Sequence, residues 1–333
     1  MKTKNAMLVL ALALISVSTY TKAQMVNYKV IYDDPMDMNN LFVSVDPCYF
    51  EGGDIGSKAF VGYTFQADYD MFNRLSFTAN YMGSYMDLLA DGTDVVTGTD
   101  NLLKKHSSQE AGLAFYFMDK QKPADIGMHL KTRGDVTTSI TVPGTRRVQT
   151  GIRGGIFHYN YALETDDKDF FLGKNATTGE IDTLGNVEFE DYRTNMNVFG
   201  VYVGISRKKS HNVKVNVEGY GDRKNRKIGE FYLDFVPALT VSLKDIVYQE
   251  EDYQNGTFVL VGPKTAYDLS PTKKNLLGWR MGYQLIYPGR LGAHMKCEMG
   301  QKAGWGAQTG IYISASAGIT IGNKLKFSKP KEK

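Results

Sequence analysis

The chain has 333 residues, a formal net charge of +3 and 42% hydrophobic residues. A balance this close to neutral gives no electrostatic basis for a nucleic-acid partner, and two cysteines are too few to staple a secreted scaffold. Beyond the N-terminal segment no stretch reaches the roughly 18 consecutive apolar residues of a membrane-spanning helix.

The first element is an export signal. Lys2 and Lys4 form a positive start, and Ala6 to Val17 is an apolar run too short to span a bilayer as a helix. Thr21-Lys22-Ala23 then offers small residues before a cut, so residues 1–23 read as a cleaved signal peptide and 24–40 as an N-terminal periplasmic segment.

From residue 41 the pattern is alternation with period two, the signature of strands with one apolar and one polar face. Twelve strands are predicted near 41–50, 57–68, 73–86, 108–118, 125–142, 147–163, 192–207, 212–222, 228–244, 275–287, 291–300 and 308–322. In the third, Leu75, Phe77, Ala79 and Tyr81 oppose Ser76, Thr78, Asn80 and Met82. In the seventh, Phe199, Val201, Val203 and Ile205 oppose Gly200, Tyr202, Gly204 and Ser206. In the last, Ile311, Ile313, Ala315, Ala317, Ile319 and Ile321 oppose Gly310, Tyr312, Ser314, Ser316, Gly318 and Thr320. Segments of about ten residues suit a tilted strand crossing a bilayer and exceed the five or six usual in a β-sandwich. Aromatic residues near segment ends (Tyr63, Tyr81, Tyr85, Phe157, Tyr159, Trp279, Tyr283 and Tyr287) suit the two membrane interfaces.

These features predict an all-β fold, a transmembrane antiparallel up-and-down β-barrel over residues 41–327 with a basic tail at 328–333. Tight links are expected near Asp68–Asn73, Asp119–Ala124, Asp222–Lys227 and Tyr287–Arg290, and long polar links at 87–108, 164–191 and 245–275. Twelve strands put 164–191 on the side of the short turns, against the usual arrangement, so fourteen strands is the alternative. At Gly154-Gly155 the apolar parity changes, from Val148 and Ile152 to Phe157, Tyr159 and Tyr161, which predicts a bulge.

The signal ending Lys22-Ala23-Gln24, the run Arg153-Gly154-Gly155-Ile156-Phe157 and the final strand into Leu325 and Phe327 resemble the small outer-membrane barrels of Bacteroidota-type bacteria. The resemblance implies an outer-membrane address and the assembly route that recognises a C-terminal strand ending in an aromatic. Phe327 departs from that pattern, because six residues follow it.

The lumen-facing candidates are Arg74, Glu110, Lys131, Arg153, Lys214, Glu218, Asp234, Arg280, Lys296 and Glu298, with Arg133 and Arg147 on the same inferred faces. The basic excess favours anions if a pore is open. In a twelve-strand barrel, paired side chains are instead expected to fill the lumen; with fourteen or more a pore is expected. His129, His158 and His294 fall on inferred inward faces, but no Ser stands two positions away to form a catalytic pair. The acidic runs Asp166-Asp167-Lys168-Asp169 and Glu250-Glu251-Asp252 lack calcium-loop spacing, and no metal site, catalytic group or cofactor motif is read. Cys297 shares parity with Met295 and Met299 and is expected to face lipid; its pairing with Cys48 is left open.

The functional expectation is a non-enzymatic outer-membrane barrel, a structural or accessory subunit whose partners are outer-membrane lipid and other envelope proteins. A passive channel with weak anion preference and a secreted β-sandwich binding module are the alternatives.

Overall fold

The computed structural model describes residues 26–53, 60–71, 74–85, 106–133, 136–165, 172–175, 177–183, 192–244, 246–254, 257–271, 274–303 and 311–325. The expected signal peptide, the basic tail, Phe327 and the Asp166–Asp169 run lie outside them.

The strands are β1 (Tyr28–Asp33), β2 (Leu41–Gly53), β3 (Phe60–Met71), β4 (Leu75–Ser84), β5 (Ser107–Arg133), β6 (Val136–Thr165), β7 (Leu172–Asn175), β8 (Ile181–Thr183), β9 (Tyr192–Val217), β10 (Gly221–Leu243), β11 (Ile246–Gln254), β12 (Thr257–Asp268), β13 (Leu277–Tyr287), β14 (Gly292–Gln301) and β15 (Ile311–Asn323). Ten of them close a ring in the order β2, β3, β4, β5, β6, β9, β10, β13, β14, β15 and back to β2, each antiparallel to its neighbours. β1 adds an eleventh strand alongside Val213–Val217 of β9. Strands β11, β12, β7 and β8 form a small separate sheet in the connections at one end of the barrel.

The side chains are arranged inside out. Outer residues such as Val61, Leu113, Ile152, Val203 and Ile319 are 51–58% exposed, whereas Ser44, Asp234, Arg280 and Thr320 on the opposite faces are at most 2% exposed. In water this distribution would leave a large apolar surface uncovered and bury charge without return. In a bilayer it satisfies both faces, and closure leaves no backbone edge unpaired within the hydrocarbon. The chain is therefore a transmembrane β-barrel. Tyr63, Tyr81 and Tyr85 cluster on its outer wall, with ring centroids 6.2 Å and 5.5 Å from Tyr63.

The ring has ten strands rather than twelve, because two expected strands, 125–142 and 212–222, are each divided between long neighbours, the first between β5 and β6 and the second between β9 and β10. Asp119–Ala124 lies inside β5, and Asp222–Lys227 lies inside β10. Both stretches are polar because they project past the apolar belt, where water meets both faces, and this is what made them look like turns. Pro123 is tolerated there because that part of β5 has lost β4 as a neighbour and is an edge. The chain instead reverses between Arg133 and Val136, which are paired, and at Glu218–Tyr220, where Gly219 and the following Gly221 have φ of 76° and 70°. With ten strands the anomaly of the 164–191 link vanishes: the three long links open from the same rim, and the short turns share the other rim with both barrel termini.

No register shift occurs at Gly154-Gly155. Phe157, Tyr159 and Tyr161 are 1–5% exposed and face the lumen, so the expected parity change and interface role are corrected. The glycines serve a different need. A Cβ on Gly112 would lie 1.9 Å from the Tyr202 hydroxyl, and one on Gly155 2.8 Å from Cζ of the same ring. Both positions stay bare so that the Tyr202 ring can lie along the inner wall over the adjacent strands β6 and β5.

Strands β5, β6, β9 and β10 run on past the short-turn rim. The face of β9 that meets lipid at Val203 and Ile205 continues to Val213, Val215 and Val217 without a register shift against β10. There it is covered: these valines pack with Ile126, Met128, Leu130 and Val142 of the β5–β6 hairpin in a small core beyond the rim.

Candidate functional site: the occluded lumen

The waist of the lumen is built around Arg280. It stands opposite Asp234 on the β10–β13 pair, and its Nε lies 2.8 Å from Asp234 Oδ2. Its Nη1 lies 2.6 Å from Glu110 Oε1 and 3.9 Å from Glu298 Oε2. Arg153 supplies a second cation, 3.3 Å from Asp234 Oδ1 and 3.9 Å from Glu230 Oε1. Lys296 Nζ lies 3.6 Å from Glu298. The carboxylates also accept from phenols: Tyr159 donates to Glu110 at 2.7 Å, Tyr232 to Glu298 at 2.6 Å, Tyr116 to Glu230 at 3.2 Å, and Tyr312 to Glu298. The guanidinium of Arg153 sits 4.1 Å from the Tyr232 ring centroid, and that of Arg280 4.5 Å from Tyr202. Buried charges are tolerated only when compensated, and here each has an ion-pair partner, while Asp234 Oδ1 and Arg280 Nη2 are left without a hydrogen bond among the described residues.

Six of the sequence candidates therefore meet: Glu110, Arg153, Asp234, Arg280, Lys296 and Glu298. Four do not. Arg74 is exposed beside the β3–β4 turn, Lys131 is exposed near the tip of the β5–β6 hairpin, and Glu218 is exposed in the β9–β10 turn, where it accepts from Asn27. Lys214 lies on the hairpin beyond the rim and pairs with Asp222 at 2.7 Å. Their period-two pattern continues into water, so parity alone does not separate lumen from periphery. Arg133 is likewise exposed, while Arg147 is buried and its Nε is 2.9 Å from Asp119.

The sequence reading missed the acidic partners. Asp46, Glu51, Asp70 and Glu230 join the lumen, and with Asp68 they remove the expected basic excess. A β-bulge between Asp46 and Tyr49 hides the parity of β2, and Asp70 lies past the expected end of its strand. Lys208 is held by Asp70 at 2.5 Å, and Lys302 by Glu51. No net attraction for anions remains.

Above the waist, toward the long connections, Tyr49, Glu51, Tyr161, Lys302 and Tyr312 line a narrow cleft. One side of this half is apolar, formed by Phe157, Met196, Val198 and Val236. Below the waist a second, wider space is bounded by Lys208, Arg147 and a strap formed by Pro35, Met36 and Met38. Met38 packs on Phe42, Ile228 and Ile286, and Asn40 is bonded to Leu325 and Asn323, so the N-terminal segment crosses this mouth and is fastened to the end of β15.

His294 is fully buried, with Nδ1 2.7 Å and 2.9 Å from the Asp46 oxygens. A catalytic triad would need a hydroxyl on the other ring nitrogen. Here the nearby hydroxyls, Ser316 and Thr64, donate to Asp46 instead, at 2.7 Å and 3.1 Å, and His294 Nε2 has no hydrogen-bond partner among the described residues. His158 is half-buried on the outer wall, and His129 is exposed, 2.8 Å from Thr132. No group of metal-binding side chains occurs among the described residues. Cys48 and Cys297 are both exposed and unpaired, on strands separated by β15.

Among solved structures the chain is similar to the CymD monoaromatic hydrocarbon channel, at 9% identity over 87% of this chain and 90% of that one, with a TM-score of 0.23. It is also similar to the outer-membrane expressed OmpT of Vibrio cholerae, at 9% identity over 88% of this chain and 99% of that one, with a TM-score of 0.20. No protein-family model and no curated protein matches the chain.

Proposed function

We propose that this protein is an exported outer-membrane barrel that conducts nothing in its resting form and acts, without catalysis, as a structural or accessory subunit of an envelope assembly. The observation that carries this reading is the waist, where Arg280 is 2% exposed and bonded to carboxylates on two other strands. Opening a pore there means separating several buried ion pairs, each expensive to leave uncompensated. Ten strands place the barrel nearer the eight-strand size that side chains fill than the sixteen or more of water-filled porins.

The export signal read at residues 1–23 and the gathering of short turns at the rim that carries the termini support an outer-membrane setting with that rim in the periplasm. The long connections then face outward. They and the hairpins beyond the periplasmic rim are the surfaces offered to other envelope proteins. In planar bilayers the purified protein is expected to give no step currents above baseline. Steady single-channel conductance by the wild-type chain overturns the closed-lumen reading and restores the channel.

A further inference from the structure

We propose that one sector of the outer wall, at the short-turn rim, is a docking site for the headgroups of anionic phospholipids. Lys120 and Lys122 of β5, Arg146 of β6, Arg207 and Lys209 of β9, and Lys227 of β10 carry it. The register places all six on the lipid side. Lys122 is paired with Arg146, Lys120 and Lys209 are both paired with Val148, and Arg207 is paired with Thr150 and Phe231. A bulge between Phe115 and Met118 turns the even residues of β5 outward, which brings its two lysines onto the same face as the cations of β9.

Lys120, Lys122, Arg207 and Lys209 are exposed, and Arg146 and Lys227 are half-buried. None of the six forms an ion pair among the described residues; Lys227 has the Tyr287 ring at 5.7 Å. On this face the stretches 118–124, 146–152, 203–209 and 227–233 present no carboxylate: Asp119 and Glu230 turn inward, to Arg147 and Arg153. Asp33 of β1, at the edge of the patch, is held by Thr145 next to Arg146. The outward charge is thus predominantly of one sign and is built to be neutralised by something outside the chain.

The position selects a lipid over a soluble anion or an acidic protein. Along the same columns, immediately toward the barrel middle, stand Met118, Ile152, Ile205, Val203 and Phe231, exposed by 44–58%. A phospholipid whose acyl chains lie on these residues has its phosphate at the level of Arg207, Lys209 and Lys120. One molecule thus meets both halves of the surface, and juxtamembrane cations attract anionic headgroups. The opposite sector ends at this rim in Leu41, Tyr69 and Leu75, with Arg74 and Arg290 as isolated cations in its turns and Lys324 paired with Asp37, so the cluster of cations lies on one side of the barrel.

The test is native mass spectrometry of the full-length protein extracted from vesicles of equimolar phosphatidylglycerol and phosphatidylcholine. The retained lipid is expected to be enriched several-fold in phosphatidylglycerol. The combined Lys120→Gln, Arg207→Gln, Lys209→Gln variant should return it to the bulk ratio, while Lys131→Gln, Arg133→Gln at the hairpin tip should keep the enrichment. Slower migration on boiling reports that each variant is folded. Soluble glycerol phosphate is expected not to compete. Equal retention of the two lipids by the wild type, or unchanged enrichment in the folded triple variant, overturns the proposal. Displacement of the lipid by soluble polyglutamate also overturns it and assigns the patch to an acidic protein.

Discussion

Arg280 and Asp234 face each other across the β10–β13 pair, and the 2.8 Å contact between them ties the wall of the barrel to the contents of its lumen. Truncating Arg280 leaves Asp234, Glu110 and Glu298 facing one another with only Arg153 and Lys296 to neutralise them. Arg280→Ala is expected to cost about 3–5 kcal/mol, the range for breaking one side of a buried ion pair. The check is the temperature at which the fast-migrating folded band converts to the unfolded one.

Gly282 tests the packing of the same waist from the other direction. A Cβ there would lie 2.3 Å from Cζ of Tyr232. Gly282→Val is expected to displace that ring and lose about 1–3 kcal/mol by overpacking, read by the same conversion temperature.

The core beyond the rim should come apart without the barrel. Val215 is fully buried against the β5–β6 hairpin. Val215→Ala should destabilise this region by on the order of 2 kcal/mol. Limited proteolysis is expected to cut within residues 118–146 faster in the variant, while the heat-resistant band keeps its wild-type position.

The strap should respond to pH at both extremes. Lys324 donates to Asp37 and, with the Tyr32 hydroxyl at 2.6 Å, holds that carboxyl below its ordinary range. A depressed carboxyl stabilises above its unfolded value of about 4 and loses the contribution as pH falls through the folded one. Tyr32 is shifted the other way: burial, then its bond to Asp37, pushes it up to about 12. Its contribution is whole below about 10 and is lost as pH rises through that raised value. Amide exchange over residues 28–40 is therefore expected to be slowest on a plateau between the two limits. Lys324→Ala should weaken the acid limb, leaving the part held by Tyr32, and leave the alkaline one. Both groups are largely exposed, so the effect is local and screened by salt.

The fold was legible where the apolar belt imposes its alternation. Strands β4, β13 and β15 follow the expected faces because each begins and ends close to the belt. It was illegible where strands leave the belt, since Asp119–Ala124 and Asp222–Lys227 carry the polarity of turns while keeping the backbone of strands. All the charged groups of the waist except Glu230 could be read from parity: Glu110, Arg153, Asp234, Arg280, Lys296 and Glu298. Asp46 could not, because a bulge breaks its strand. Tyr159 and Tyr161 could not either. Aromatic rings suit both a lipid interface and a lumen where phenols bond to carboxylates, and only closure of the ring decides between them.

The valine face of β9 also bears on how deep the molecule sits. A slip of two residues along the bilayer normal preserves every inside and outside assignment, so alternation sets the sidedness of this wall but leaves its height free. Past Arg207, Lys209 and His211 the column is aliphatic again, yet Val213, Val215 and Val217 are covered by the β5–β6 hairpin and offer no second belt. The charges of Arg207 and Lys209, between the two aliphatic stretches, act as the stop that keeps the barrel from sinking.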